Sequence, residues 1–462
     1  MKKRWVKKII AISILMLFVE ASVASASYQN QPITIFNPEI KGVVYDKIKF
    51  PLPVVWKHKL SQGGNPSTPI VGDGKVFIGS TDGHLYAIDA YKGTTKWMYT
   101  AGAGLNVYTP AIDTSKGIVI FACSDNNVYG IQSSSGKCLW KQSIDQPPQT
   151  WQAPLVDHGS VYIVTKKFWA TPYIYSIDTA TGRINWRRTV NVISTYDVWD
   201  EAYYPAVYNG ILYLSGRCDN YWYGWPGASD LQALYAINGT LIWSIQTDAI
   251  TSIPAVDSTN VYVGTQGYSN YGPSHVFAFD KSNGQTRWSF NSKESFWASP
   301  IVYNNTIFIG GNSGVFWAIK TIDGTQKWEF TRGDSPIYST PTINDKIIFF
   351  ASTDRNVYAI DSNSGDYLWS YTANASIVPT QAIANNFLYV SSEDGYVSAF
   401  KIKHVIDSSY TPINPLYTAI ISFIDKYHTM EQLFHGRGIS VTMNSQTSRI
   451  HYPTTEKLVN TK

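Results

Sequence analysis

Short apolar runs separated by turn-rich clusters recur along most of the chain, and between residues 53 and 402 they fall into eight periods of four strand-like segments each. A period opens on a short segment that usually carries a Pro, as in STPIV (67–71), QAPLV (152–156), YPAVY (204–208), ASPIV (298–302) and STPTI (339–343), with TQAIA (380–384) in the same place near the end. An apolar run follows, such as KVFIGS (75–80) or KIIFFA (346–351), then a segment of clean alternation, such as HLYAID (84–89) or NVYAID (356–361). Alternation with period two and Gly/Asn/Asp turns predicts antiparallel hairpins. The fourth segment of each period carries a Trp.

These tryptophans are Trp56, Trp97, Trp140, Trp186, Trp243, Trp288, Trp328 and Trp369, at intervals of 41, 43, 46, 57, 45, 40 and 41 residues. Periods of this length built from four strands mean propeller blades. The turn before the Trp reads A-x-D-x-x-x-G-x-x-x-W, as in AIDAYKGTTKW (87–97), SIDTATGRINW (176–186), AFDKSNGQTRW (278–288) and AIDSNSGDYLW (359–369), with GIQSSSGKCLW (130–140) and AIKTIDGTQKW (318–328) as variants. The fourth copy reads as a form three residues shorter, AINGTLIW (236–243). Seven Trp segments follow a third strand, whereas VVWKHKL (54–60) precedes them all. The sequence therefore predicts an all-β, eight-bladed β-propeller whose last blade takes its outer strand from the N-terminal end, a closure that removes a free edge.

The repeat resembles that of the pyrroloquinoline quinone (PQQ) dehydrogenase-like propeller superfamily over about residues 53–402. The resemblance implies that the eight tryptophans form a structural girdle, each docked against the small residue and the Gly turn of a neighbouring blade. It also implies two branches: quinoprotein dehydrogenases holding PQQ and Ca²⁺ in the central funnel, and cofactor-free propellers such as the BamB-type outer-membrane assembly lipoproteins. The dehydrogenase pattern of adjacent cysteines has no counterpart in Cys123, Cys138 and Cys218, and no C-x-x-C-H haem site occurs. The lipidation Cys of the other branch has no counterpart after the apolar N-terminal run.

Charge and termini refine the picture. KKRWVKK (2–8), the apolar run 9–19 and Ala24-Ser25-Ala26 read as a signal peptide over 1–26. That segment holds five basic residues and Glu20, which accounts for the whole chain's net +4, so a nucleic-acid partner is not expected. Nor is a transmembrane span expected in the mature chain. Residues 27–52 read as an extended leader and 403–462 as a tail, with Asn414-Pro415 opening an amphipathic helix over about 414–435.

In a blade ordered from axis to rim, the connections from strand four to strand one and from strand two to strand three share one face, here called the top. All long connections fall there, and they are aromatic: Trp151, Trp169, Trp199, Tyr221, Trp222, Tyr223, Trp225 and Trp297, interleaved with Asp200, Glu201 and Arg217. Flat rings beside polar groups suit peptides and sugars, and loops that cap the funnel by packing on one another are the alternative. Asp197, Asp200 and Glu201 match no calcium-loop spacing, and no metal site is expected. The expectation is an exported, non-enzymatic binding or scaffold protein that takes a protein, peptide or carbohydrate ligand on its top face without a cofactor. The alternative is a PQQ- and Ca²⁺-dependent dehydrogenase of alcohols or sugars.

Overall fold

The computed structural model describes residues 45–48, 50–61, 63–102, 104–148, 153–165, 172–190, 200–219, 229–247, 250, 252–266, 274–378, 380–402 and 404–406, with the backbone alone at 45–48, 200–203, 217–219, 229 and 404–406. The expected signal peptide, most of the leader and the expected helix over 414–435 lie outside the described residues.

Eight four-stranded antiparallel sheets make up the described chain, seven of them in the order in which their strands occur. The eighth consists of Ala382–Ala384, Phe387–Ser392 and Tyr396–Lys401, closed on its outer side by Val54–Lys59 from the N-terminal end. The leader adds a short strand, Tyr45–Ile48, paired with His404–Ile406. The turns explain why the chain folds back where it does. Between first and second strands, Asp73-Gly74, Asn209-Gly210, Asn304-Asn305 and Asn385-Asn386 take positive φ at both positions, the conformation that two-residue hairpins require and that Asn, Asp and Gly tolerate. Between third and fourth strands the Asp of the motif caps the turn: Asp89 Oδ1 accepts from the backbone N–H of Tyr91 (2.9 Å) and Lys92 (2.9 Å).

The apolar core lies in wedges between neighbouring blades. One cluster joins Val119 and Phe121 of blade two to Phe77 and Leu85 of blade one, and another joins Phe349 and Val357 of blade seven to Leu388 and Val390 of blade eight. A strand buried on both faces must be apolar at successive positions. Ile118–Cys123 and Phe387–Ser392 are buried at every residue.

Seven of the eight repeat tryptophans lie against the Gly turn of the next blade. The indole Nε1 of Trp56 donates to Ala90 O (3.0 Å), Trp97 to Ser133 O (2.9 Å), Trp140 to Thr179 O (2.9 Å), Trp243 to Lys281 O (3.0 Å) and Trp288 to Thr321 O (2.9 Å), each in the next blade's turn. Each of these rings also lies against that turn's Gly. A Cβ added at Gly182 (φ +73°) would sit 2.6 Å from Trp140. Trp369 has no such turn to meet, because the last blade ends at its third strand; Phe50 stacks on it instead, at 6.4 Å between ring centres.

Two details differ from the sequence reading. The small residue belongs to the Trp's own blade, since Ala87 pairs with Trp97, Gly130 with Trp140 and Ala399 with Trp56. The ring lies across its own cross-strand neighbour, and a Cβ at Gly130 would meet Trp140 at 2.1 Å. The fourth copy of the motif is also full length. Ala233 pairs with Trp243, and Gly239 N donates to Tyr235 O (2.8 Å) as Gly93 N does to Asp89 O (2.9 Å). The motif there is ALYAINGTLIW (233–243), with Tyr235 in the capping Asp position.

Candidate functional site

The top face is built on connections that the blades hold rigidly in place. Where it is described most fully, over blades five to seven, backbone bonds tie four connections together. Asn312 N donates to Ser295 O (3.0 Å), Ile337 N to Gly311 O (3.0 Å) and Thr353 N to Pro336 O (3.0 Å). Gly314 makes this closeness possible: at φ +82°, its missing Cβ would lie 2.5 Å from Gly333 O.

On this frame stand two half-exposed rings, Trp297 (38 %) and Tyr338 (40 %), 5.8 Å apart and tilted by 41°. The Asn312 amide fixes the indole. With its oxygen toward the ring it accepts from Trp297 Nε1 (3.1 Å), and its nitrogen then donates to Ser295 O (3.2 Å). Beside them, burial pushes the Glu294 carboxyl above the usual carboxylate range; Glu329 adds to the shift, and the backbone N–H of Ser313 opposes it. Among the described residues, Glu294 Oε2 is buried with no hydrogen-bond partner. The group thus offers aromatic contact, an amide and an incompletely satisfied carboxylate, a combination suited to holding a polar ligand against a flat apolar surface.

Trp297 is the sequence-derived candidate that the structure places in this group. Trp151, Trp169, Trp199, Tyr221, Trp222, Tyr223 and Trp225 lie outside the described residues. Asp200, Glu201 and Arg217 sit on strands rather than in loops, which corrects the sequence reading of 194–204 and 216–230 as insertions throughout. The first two strands of blade four run Asp200–Tyr208 and Ile211–Asp219, pairing Asp200 with Asp219, Glu201 with Cys218 and Ala202 with Arg217. The aromatic run Tyr203-Tyr204 favours extended backbone and carries the ladder outward. Tyr338 and Asn312 were missed. Tyr338 had a legible signal: Trp151, Trp297 and Tyr338 each stand three residues before the Pro of an inner strand (Pro154, Pro300, Pro341).

Among the described residues no three His, Cys, Asp or Glu side chains converge as metal ligands, and no helix is long and apolar enough to cross a membrane. Cys123 and Cys138 are free thiols in blade two; burial pushes the Cys123 thiol up to about 11. The three cysteines of the sequence include no adjacent pair.

Known proteins show where this architecture recurs. BamB from Yersinia pestis is 22 % identical over 347 residues, covering 71 % of this chain and 82 % of that protein. The polyvinylalcohol dehydrogenase of a Pseudomonas species is also 22 % identical, over 72 % of this chain, but the match spans 48 % of that enzyme. Among solved structures, BamB from Moraxella catarrhalis superposes with a TM-score of 0.59 at 17 % identity, covering 76 % of this chain and all of that one. A europium-containing methanol dehydrogenase superposes with a TM-score of 0.61 at 13 % identity, covering 76 % of this chain and 93 % of that one. At such identities the superpositions speak for the fold, a PQQ-like propeller shared by assembly factors and dehydrogenases. The profile of the family described as outer membrane protein assembly factor BamB matches residues 53–214, 227–340 and 338–405, and the chain belongs to that family.

Proposed function

We propose that this protein is an exported, non-enzymatic scaffold that binds a protein partner on the top face of its propeller. The observation that carries the reading is the Trp297–Tyr338 pair, two exposed rings held by Asn312 and by backbone bonds between four connections. Rigid Trp and Tyr side chains on a fixed frame lose little entropy when a partner covers them, which is how a few residues come to dominate an interface. Family membership and the basic, apolar N-terminal segment support export, and the relatives named as assembly factors support a protein partner over a sugar.

The dehydrogenase relatives favour a second reading, PQQ with Ca²⁺ in the funnel. Cys123, Cys138 and Cys218 are not adjacent and so do not supply that branch's cysteine pair. One experiment separates the readings. The chain from residue 27 onward is incubated with PQQ and Ca²⁺, and dye reduction is followed with alcohols and aldoses. We expect no rate above that without protein, and turnover would overturn the scaffold reading. In parallel, a photo-crosslinking residue is placed at Trp297 or, as control, at Ile322 on the opposite face. Adducts from 297 alone are expected. Trp297→Ala should then weaken binding of the captured partner by about 2 kcal/mol, roughly 30-fold.

A further inference from the structure

The fourth strand of each blade is the outer edge of its sheet and presents a row of backbone groups that another strand can pair with. Proteins guard such edges with charge, and six of the eight are guarded in this way. Lys57 and Lys59, Lys96, Lys141, Arg187 and Arg188, Arg287 and Lys327 stand on them. The blade-seven edge, Tyr367–Thr372, has no charge of its own, but Arg332 lies over the Tyr367 ring (4.0 Å) and Lys57 over the Tyr371 ring (5.3 Å).

Blade four differs. Its outer strand, Leu241–Thr247, is seven residues long and uncharged, and the one charged residue of the strand paired with it, Asp230 on Ser229–Tyr235, is buried. The position that holds a capping Asp in blades one, three, five and seven holds Tyr235, 49 % exposed; Ile237 at the turn is 84 % exposed and Leu241 38 %. Arg188 of blade three donates to Gly239 O (2.8 Å) at the turn, outside the strand.

We propose that two copies of this chain pair antiparallel through the blade-four edge, with Ser244 on the two-fold axis. A two-fold interface uses the same surface twice, so that surface must complement itself. Here it does. Leu241 falls opposite Thr247, Ile242 opposite Gln246 and Trp243 opposite Ile245. The same operation on blades two, three, six and eight sets Lys141, Arg187, Glu329 or Lys57 opposite its own copy, which is destabilising across a strand pair. The paired segment spans about 24 Å at ~3.4 Å per residue. It joins two four-stranded blades into one eight-stranded sheet, with Leu241 at both ends.

Sedimentation velocity on the mature chain, over a hundredfold range of concentration, tests this. A reversible monomer–dimer equilibrium is expected. Ser244 is exposed, and Ser244→Lys should raise the dimer dissociation constant at least tenfold with an unchanged melting temperature. Ser289→Lys, at the equivalent exposed position of blade five, should leave the constant unchanged. Gln246→Lys, also exposed, replaces Ser244→Lys if the latter disturbs folding. A monomer throughout the range, a dimer indifferent to the blade-four lysine, or a dimer equally weakened by Ser289→Lys would each overturn the proposal.

Discussion

Gly182→Ala isolates what the girdle contributes to stability, because its cost divides into two parts that other glycines separate. Gly182 has φ +73°, a conformation that costs an L-residue about 1–2 kcal/mol. Its new methyl would lie 2.6 Å from both Cδ2 and Cε3 of Trp140, about 1 Å inside an ordinary ~3.5–4.0 Å carbon contact. Overpacking of that size costs about 1–3 kcal/mol. Gly74 has φ +68° and would carry its methyl into open space, with no atom within 4 Å. Gly74→Ala therefore costs the backbone part alone, and Gly182→Ala should exceed it by about 1–3 kcal/mol. At roughly 2 °C per kcal/mol for a domain of this size, the two variants should differ by on the order of 2–6 °C in melting temperature. Calorimetry or near-ultraviolet circular dichroism measures the difference. Combining Gly182→Ala with Trp140→Leu should recover about 1 kcal/mol relative to the sum of the single changes, as touching residues are not additive. Equal melting temperatures for Gly182→Ala and Gly74→Ala would refute the reasoning, for the ring would then not be pressed against the turn.

Two further outcomes follow from the same structure. A chain beginning at residue 61 lacks Val54–Lys59 and with it the Trp56 bond to Ala90 O; it should melt lower and aggregate, and a peptide of residues 45–60 added in trans should restore solubility, whereas wild-type behaviour of the truncated chain would disprove closure by the N-terminal strand. Asp280 accepts from the Ser282 side chain and backbone and from Arg287, which together hold its carboxyl down to about 2. Because the unfolded value is higher, near ~3.9, the stabilisation is full above about pH 4 and is lost as pH falls through the folded value. Asp280→Asn should thus flatten the fall in melting temperature between about pH 4 and 2, and an unchanged profile would remove Asp280 from that fall.

Much of the fold was legible because its signals are local and repeated. A Trp four residues after a Gly, seven times in strand-rich periods, has few folds to serve, and the surplus strand at 54–60 named its own partner. What stayed hidden concerns register. Every outer strand carries a β-bulge at the residue before its Trp, between Thr95 and Trp97 in blade one and between Tyr367 and Trp369 in blade seven. The bulged residues are as different as Lys96, Leu139, Asn185 and Val55, so no side-chain pattern marks them. Only the pairing shows that this extra residue brings the indole over the small residue opposite. The candidate site was half legible for a similar reason. Aromatic residues in long connections can be counted from sequence, but the meeting of Trp297 with Tyr338 depends on two blades standing side by side.

Blade four shows how a misread register conceals function. Taking Ala236 as the motif's small residue makes its turn look truncated and Tyr235 look like ordinary strand alternation. The observed pairing of Ala233 with Trp243 restores the full repeat, and Tyr235 then stands out as an exposed ring in place of a turn-capping carboxylate. That replacement costs the turn side-chain hydrogen bonds such as those Asp178 makes with the backbone N–H of Ala180 and Thr181, leaving Asn238 Oδ1 to accept from Thr240 N (3.0 Å). A repeat with no charge on its outer strand, while six other rims carry lysine or arginine, is better explained by what that strand meets outside the blade than by the stability of the ring. The two proposed surfaces, the rings fixed between blades on the top face and the uncharged edge of blade four, can be disabled separately, Trp297→Ala for one and Ser244→Lys for the other.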